Sequence, residues 1–244
     1  MNRWWGLIRS VVIYLNPIRL LPWKRFYKNL LTPGDTVFDV GAHVGSRARA
    51  MHAAGARVIA LEPQAPFTGF LRWSLPKDVV VIHAAAGKTE TQADMSVSSK
   101  HPTVSSLRTD FVSLAKDAKG FDRVEWDSVQ RVSVVSLDSL NAKYGQPSYL
   151  KIDVEGYELE VLEGLTDPVA LLSVEYLPGF KDLTNKVLDR LKELGNYEFN
   201  VVIAESATFA WEDWQSEEYL RSWLIQLPEK ARSGDLFARL QTGT

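Results

Sequence analysis

An α/β fold, with a mostly parallel sheet and helices on both faces, is the architecture this chain predicts, and three observations predict it. Short apolar runs rich in Val and Ile alternate with longer amphipathic stretches from residue 36 onward. The first run, TVFDV, leads into the turn Gly41-Ala42-His43-Val44-Gly45 and then into a helical pattern. Acidic residues recur where apolar runs stop, at Glu62, Asp153 and Glu175. Sheets of this kind bind ligands at the carboxyl ends of their strands, near the point where strand order reverses.

The elements follow in order. Thr32-Pro33-Gly34-Asp35 is a turn. Residues 36–40 read as a buried strand and 43–54 as a helix, closed by Gly55. Strand 57–62 is followed by a helix over 65–74 and a strand over 79–85. Residues 88–130 are polar and irregular and carry no clear period. A strand and a short helix fit 132–140, a strand fits 148–154 and a helix 158–165. Strand 171–176, a helix over 184–194 ending at Gly195, and strands 197–203 and 235–240 complete the pattern. Glu217 and Glu218 stand at the front of a further helix, where they favour its dipole.

Composition excludes several classes. The 244 residues are 45% hydrophobic and 24% charged, an ordinary globular balance. There is no Cys, so neither a disulfide framework nor a thiolate metal site is available, and the chain suits a reducing, cytoplasmic compartment. No apolar run approaches the roughly 18 residues that span a bilayer, and VVIYL at 11–15 is too short for a signal-peptide core.

The net charge of −2 conceals an asymmetry. Residues 1–34 hold Arg3, Arg9, Arg19, Lys24, Arg25 and Lys28 and no acid, so the remainder carries −8. Aromatic and aliphatic residues lie among these bases. Residues 1–34 are therefore read as a separate helical segment, and 35–244 as the main domain. The segment either caps that domain or makes a peripheral contact with an anionic membrane. Asn16-Pro17 and Leu21-Pro22 are expected to break it into short pieces, which favours the cap. The acidic body and the lack of a nucleic-acid motif argue against nucleic acid as partner.

The glycine turn implies a nucleoside site. Gly41 permits close backbone approach by a ligand, Ala42 and His43 continue the loop, and Gly45 lets the helix start pack near the strand. Glu62 ends the next strand 17 residues later, where a carboxylate accepts hydrogen bonds from both ribose hydroxyls. A dinucleotide would call for G-x-G-x-x-G. Here the spacing is G-x-x-x-G, and Asp39 stands two residues before the first glycine. An acid there repels phosphate and suits an ammonium group, which points to S-adenosylmethionine.

These blocks, in order, resemble a known family. VFDVGAHVG, VIALEPQ, VIHAAAG, Ser105-Ser106-Leu107, VVSLDSL, YLKIDVEGYELEVLEGL and LLSVEY together look like the FkbM family of S-adenosylmethionine-dependent methyltransferases, over residues 35–176. The resemblance implies the class I methyltransferase fold, a Rossmann-like sheet of order 3-2-1-4-5-7-6 with strand 7 antiparallel. It implies methyl transfer to a hydroxyl oxygen, often on a sugar or a natural-product ring. It places Asp39 and Gly41 near the methionine part of the cofactor, Glu62 at the ribose, and His83, Ala84 and Ala85 near the adenine. It brings Ser105 and Ser106 near the acceptor. His43 stands where the family usually has Asn, and Gln64 also replaces an Asn.

The acids of the strand-end turns admit three roles. Asp153 or Glu155, with Glu175 next door, is a general base for the acceptor hydroxyl. Alternatively Asp153, with Glu155 or Glu175, holds Mg²⁺ through hard oxygen ligands. Or some of them cap a helix or pair with Lys151. His43 is a further candidate base, and Glu158 and Glu160 are expected on a solvated helix face. The expected function is O-methylation of a saccharide, glycolipid or glycosylated metabolite. The alternatives are a non-catalytic nucleoside-binding scaffold and, behind it, a nicotinamide-dependent oxidoreductase.

Overall fold

The computed structural model describes residues 2–98, 105–108 and 124–241, with side chains from Trp5 onward. Seven strands form the main sheet: β1 (Thr36–Val40), β2 (Arg57–Leu61), β3 (Val80–Ile82), β7 (Tyr149–Ile152), β8 (Leu171–Tyr176), β9 (Tyr197–Ile203) and β10 (Gly234–Leu240). Their order is β3-β2-β1-β7-β8-β10-β9. Counted within this sheet alone, that is 3-2-1-4-5-7-6. β10 runs antiparallel to both β8 and β9, while the other pairs are parallel. The chain order reverses between β1 and β7, so the switch point lies between them.

The period-two alternation of β1 and β7 divides the core. Phe38, Val40, Leu150 and Ile152 join the layer built by α5 (Leu137–Tyr144), α6 (Glu158–Leu162), α7 (Lys181–Leu194) and α8 (Glu217–Gln226). Val37 and Tyr149 face the opposite layer, where α2 (Pro17–Leu30), α3 (Ser46–Ala53) and α4 (Ala65–Ser74) pack. Asp39 and Lys151 share the parity of Val37 and Tyr149, and they are register neighbours across the β1–β7 pair. Asp39 and Lys151 therefore enter this layer at the end nearest the switch point, where Asp235 of β10 is buried as well.

The N-terminal segment folds onto this second layer. α1 (Asn2–Tyr14) puts Leu7 against Val44 and Phe67, with Val11, Tyr14 and Leu15 beside them. α2 buries Trp23, Phe26 and Tyr27 against α3 and β10. Asn16 caps α2 by accepting the Ile18 N–H at 2.9 Å, and Pro17 occupies the first turn, where its missing donor costs nothing. The expected break at Leu21-Pro22 does not occur, because Pro22 sits inside α2.

Other differences have local causes. The helix expected over 43–54 begins only at Ser46, because His43 and Gly45 take left-handed backbone angles. The run 79–85 splits: β3 stays in the main sheet, and β4 (Ala85–Ala86) pairs with β6 (Ser128–Val135). β6 also pairs antiparallel with β5 (Thr91–Val97), giving a second sheet of order β4-β6-β5 inside the stretch that looked irregular. Its alternation was hidden because β5 shows mostly polar residues to solvent and buries only Met95 and Val97. Residues 99–104 and 109–123 of that stretch lie outside the described residues.

Candidate active site

A cavity of about 1470 Å³ opens at the carboxyl ends of β1, β2, β7 and β8. Typical small-molecule pockets hold roughly 300–1,000 Å³, so this one has room for a cofactor and an acceptor together. Asp39, Gly41, Ala42, His43, Glu62, Ala84, Ala85, Ser105, Asp153, Glu155 and Glu175 line it.

The turn after β1 is built for close approach. Gly41 and Ala42 both donate their N–H to the Leu61 carbonyl, at 3.1 and 2.8 Å. Gly41 has φ +86°, and a Cβ there would lie 1.8 Å from the Asp153 carbonyl oxygen. No other residue fits while the β1 and β7 turns stay in contact. His43 has φ +51°, in the left-handed region where Asn and His are both enriched. That backbone geometry suits His and Asn alike. The His43 ring stacks on Phe67 and meets Tyr14 edge-on. Burial lowers its pKa to about 4, so it is neutral at physiological pH and a weak base.

Glu62 is almost wholly buried just past β2. Its Oε2 accepts the His43 N–H at 2.9 Å and its Oε1 the Gln64 N–H at 2.8 Å. Each oxygen keeps a lone pair for another donor. Burial pushes its pKa up to about 8, against the pull of those two N–H groups. Asp39 is buried too, and among the described residues neither carboxylate oxygen has a partner in good hydrogen-bond geometry, the backbone N–H of Ala48 acting on it only weakly. Burial raises it to about 6, opposed by the nearby charges of Lys151 and Arg47.

Lys151 organises the acids. Its side chain is only 2% exposed, and Nζ donates to Asp153 Oδ2 at 2.7 Å. Burial favours the neutral amine, but the surrounding Asp153, Asp235 and Asp39 hold the pKa above the usual lysine value. Burial would also raise Asp153, yet the Lys151 ammonium overcomes it and keeps the carboxylate below its ordinary range. Glu155 and Glu175 go the other way. Burial, then the charges of their acidic neighbours, pushes both well above the carboxyl range. Carboxylate oxygens of Asp153, Glu155 and Glu175 lie within 4.8 Å of one another, near enough to share protons or a cation. Glu155 also has φ +53°, an uncommon angle for that residue, at the tip of the turn.

Glu158 corrects the expectation of a solvated helix face. It is buried, and its Oε1 accepts the N–H groups of Gly156 at 3.0 Å and Val154 at 3.3 Å, so it fastens the turn that carries Asp153 and Glu155. Burial brings its pKa up to about 7. Glu160 is only partly exposed, with a buried Oε2.

Three expected site residues fall outside the cavity lining. His83 is exposed, and its Nε2 lies 3.0 Å from the Pro63 carbonyl. Gly45 packs where a Cβ would lie 2.7 Å from Leu71, so it serves helix–helix contact. Ser106 pairs its backbone with Ser96, while Ser105 faces the cavity. The tryptophans 211, 214 and 223 also stay away. Trp211 packs edge-on against Trp223 and Tyr219, and Trp214 lies under Arg239.

Sequence reasoning missed Arg47 and Glu205. Arg47 Nη2 donates to Glu205 Oε2 at 2.6 Å, and its guanidinium lies 3.5 Å over the Trp23 ring. Trp23 Nε1 donates to the same carboxylate oxygen at 3.0 Å. This network ties α2, α3 and the loop after β9 beside the cavity. The partners are 158 residues apart, and nothing local announces the pair. Lys151 did leave a signal, as the one charge within the buried strand YLKI.

Residues 39–232 match the model of the methyltransferase FkbM domain. The chain is 29% identical over 146 residues to the hexuronic acid methyltransferase AglP of Haloferax volcanii, which covers 59% of this chain and 54% of that protein. The chain thus spans about half the length of that relative. Among solved structures, it is similar to an O-methyltransferase from Bacillus cereus in complex with SAH, with a TM-score of 0.49, 10% identity and coverage of 97% and 90% of the two chains. A TehB-like SAM-dependent methyltransferase from Corynebacterium glutamicum also has a TM-score of 0.49, with 9% identity and coverage of 96% and 94%.

Proposed function

The chain belongs to the FkbM methyltransferase family, whose methyl donor is S-adenosylmethionine, and from that premise we propose that it methylates an oxygen of a saccharide-class acceptor. The observation that carries this reading is the Lys151–Asp153 pair, 2.7 Å long, whose carboxylate lies within 4.8 Å of those of Glu155 and Glu175, where burial pushes the pKa values up. The relative that acts on a hexuronic acid supports the choice of acceptor class.

The residues present fit the cofactor. The unpartnered oxygens of Asp39 suit an ammonium group, Gly41 admits close approach, and the free lone pairs of Glu62 suit two ribose hydroxyls. Buried Ala84 and Ala85 offer an apolar shelf for a purine ring. When bound, the cofactor supplies a methyl group on a sulfonium, open to direct displacement.

The chain's own part is alignment and proton handling. The acceptor oxygen must be held at roughly 3–3.5 Å, in line with the methyl. Asp153 stays ionised because Lys151 stands behind it, so it is free to take the hydroxyl proton as the new bond forms. Burial and acidic neighbours make Glu155 and Glu175 hold their protons to higher pH than ordinary carboxyls, and in that form they donate hydrogen bonds to neighbouring acceptor oxygens. Ser105 lines the acceptor side. Residues 1–34 act as a cap on the catalytic domain 35–244, with Tyr14 at the cavity wall. A second reading is favoured by one observation: the mutual closeness of Asp153, Glu155 and Glu175 also suits Mg²⁺.

The test is incubation with labelled S-adenosylmethionine and a panel of neutral and uronic-acid glycans, in chelator and then in Mg²⁺. Label in the glycan that survives mild alkali marks a hydroxyl ether, and alkali-labile label marks a carboxyl ester. Equal rates in chelator and Mg²⁺ remove the cation reading. Cofactor binding with no glycan labelled would sink the acceptor class.

A further inference from the structure

Ten large hydrophobic side chains are exposed among the described residues, and they are unevenly spread. Five lie on α1 and α2: Trp5, Ile8, Val12, Ile18 and Leu21, between 53% and 80% exposed. Trp73 of α4 is a sixth, one turn from Phe70, which packs against the inner side of α1. Trp5, Ile8 and Val12 recur at i, i+3 and i+7, so they form one stripe. The inner stripe of the same helix is already accounted for by Leu7, Val11 and Tyr14. α1 is thus apolar on two sides while only one has a partner, and a helix apolar on both sides belongs against a second apolar medium.

The charges say which medium. Residues 1–34 carry six bases and no acid, whereas the rest of the chain carries −8. Arg19, Arg25 and Lys28 are exposed along α2, in the helix that also presents Ile18 and Leu21. Protein interfaces are depleted in Lys at their centres. Trp and aliphatic residues interleaved with Arg and Lys are the composition of helices that lie in the headgroup plane of anionic membranes. The segment is not a span: no described helix is long and apolar enough to cross a membrane.

We propose that the outer face of α1 and α2 seats the protein on an anionic lipid surface. Tyr14, on the inner face of α1, lines the cavity, so the same helix carries the seated stripe on one side and part of the cavity wall on the other. A lipid-borne acceptor would be met by the helix that walls the site.

Vesicle co-sedimentation of the full chain tests this without cofactor or turnover, using phosphatidylcholine vesicles with and without one quarter phosphatidylserine. The wild type is expected to sediment with the mixed vesicles and not with phosphatidylcholine alone, and to be released by high salt. The combined variant Trp5→Ser, Ile8→Ser, Val12→Ser is expected to lose at least about tenfold in bound fraction. Arg19→Glu, Arg25→Glu, Lys28→Glu should weaken binding about fivefold per base on the anionic vesicles. Both variants should retain wild-type thermal midpoints, since these side chains are exposed. Absence of wild-type binding, or equal binding to both vesicle types, overturns the proposal. So does a solution dimer that the Trp5 variant turns into monomer, because the face would then join two copies of this chain.

Discussion

Lys151→Met removes the buried ammonium that Asp153, Asp39 and Asp235 share, at nearly unchanged volume. Breaking a buried pair on one side costs roughly 3–5 kcal/mol, because the remaining charge is left uncompensated. Asp153 keeps 38% of its side chain in solvent, which screens part of the loss and favours the lower end, about 3 kcal/mol. For a chain of this size that is a fall of about 6–12 °C in thermal midpoint. The pH dependence supplies the sign. Lys151 holds the Asp153 pKa below 3.8, so the pair contributes stability above that pH and loses it as pH falls through the lower folded value. The gap between wild type and variant should therefore shrink in acid and widen with pH until it passes the raised pKa that Asp153 takes in the variant. Activity gives an independent readout. Without Lys151, burial raises Asp153, so the acid limb of the kcat/KM profile should move to higher pH. Paired thermal melts and pH–rate profiles measure both. A midpoint shift under about 2 °C together with an unmoved acid limb would refute the assignment of Lys151 as the group that keeps Asp153 ionised.

Four further outcomes are expected. Gly41→Ala forces a Cβ onto the Asp153 carbonyl and a left-handed alanine, so calorimetry should show S-adenosylmethionine affinity reduced by about 100-fold or more, with the fold retained by circular dichroism. Glu62→Gln replaces an acceptor of two backbone N–H groups by an amide that accepts only one, and should weaken cofactor binding by about 10- to 100-fold. In the wild type, Asp39 at about 6 must ionise to receive an ammonium group and Glu62 at about 8 to receive two ribose hydroxyls, so affinity should rise with pH up to about 8 and then level off. The same raised values make the ligand-free fold lose stability from about pH 4 to about pH 8, since the unfolded chain gives up these protons first; melts with and without cofactor should show different slopes over that range. His43→Asn keeps the left-handed turn and removes a ring that is neutral above pH 4, so kcat/KM should change by less than about threefold and the acid limb should stay in place.

Local pattern determined much of this protein by itself. Alternating Val/Ile runs and amphipathic stretches encode the parallel sheet, because strand and helix burial have different periods along one chain. Asp39, Gly41, Glu62, Asp153 and Glu175 were recognisable because a strand end is a position the sequence marks, and strand ends in such a sheet converge on one cavity. Where a neighbour distant in sequence decides the outcome, local pattern was silent or misleading. Glu158 looked solvated until the turn folded its N–H groups around it. His83 and Ala84 are adjacent in sequence, in the break between β3 and β4, yet one is exposed and the other is buried at the cavity. β5 was missed and β6 was expected only from residue 132, because their pairing spans residues 98–127 and no local propensity records it. Arg47 and Glu205 met only when α3 and the loop after β9 packed on α2. Protonation was decided last. Asp153 and Glu155 are two residues apart and chemically alike, but only one lies against the Lys151 ammonium, so tertiary placement alone holds one below the usual carboxylate range and pushes the other above it.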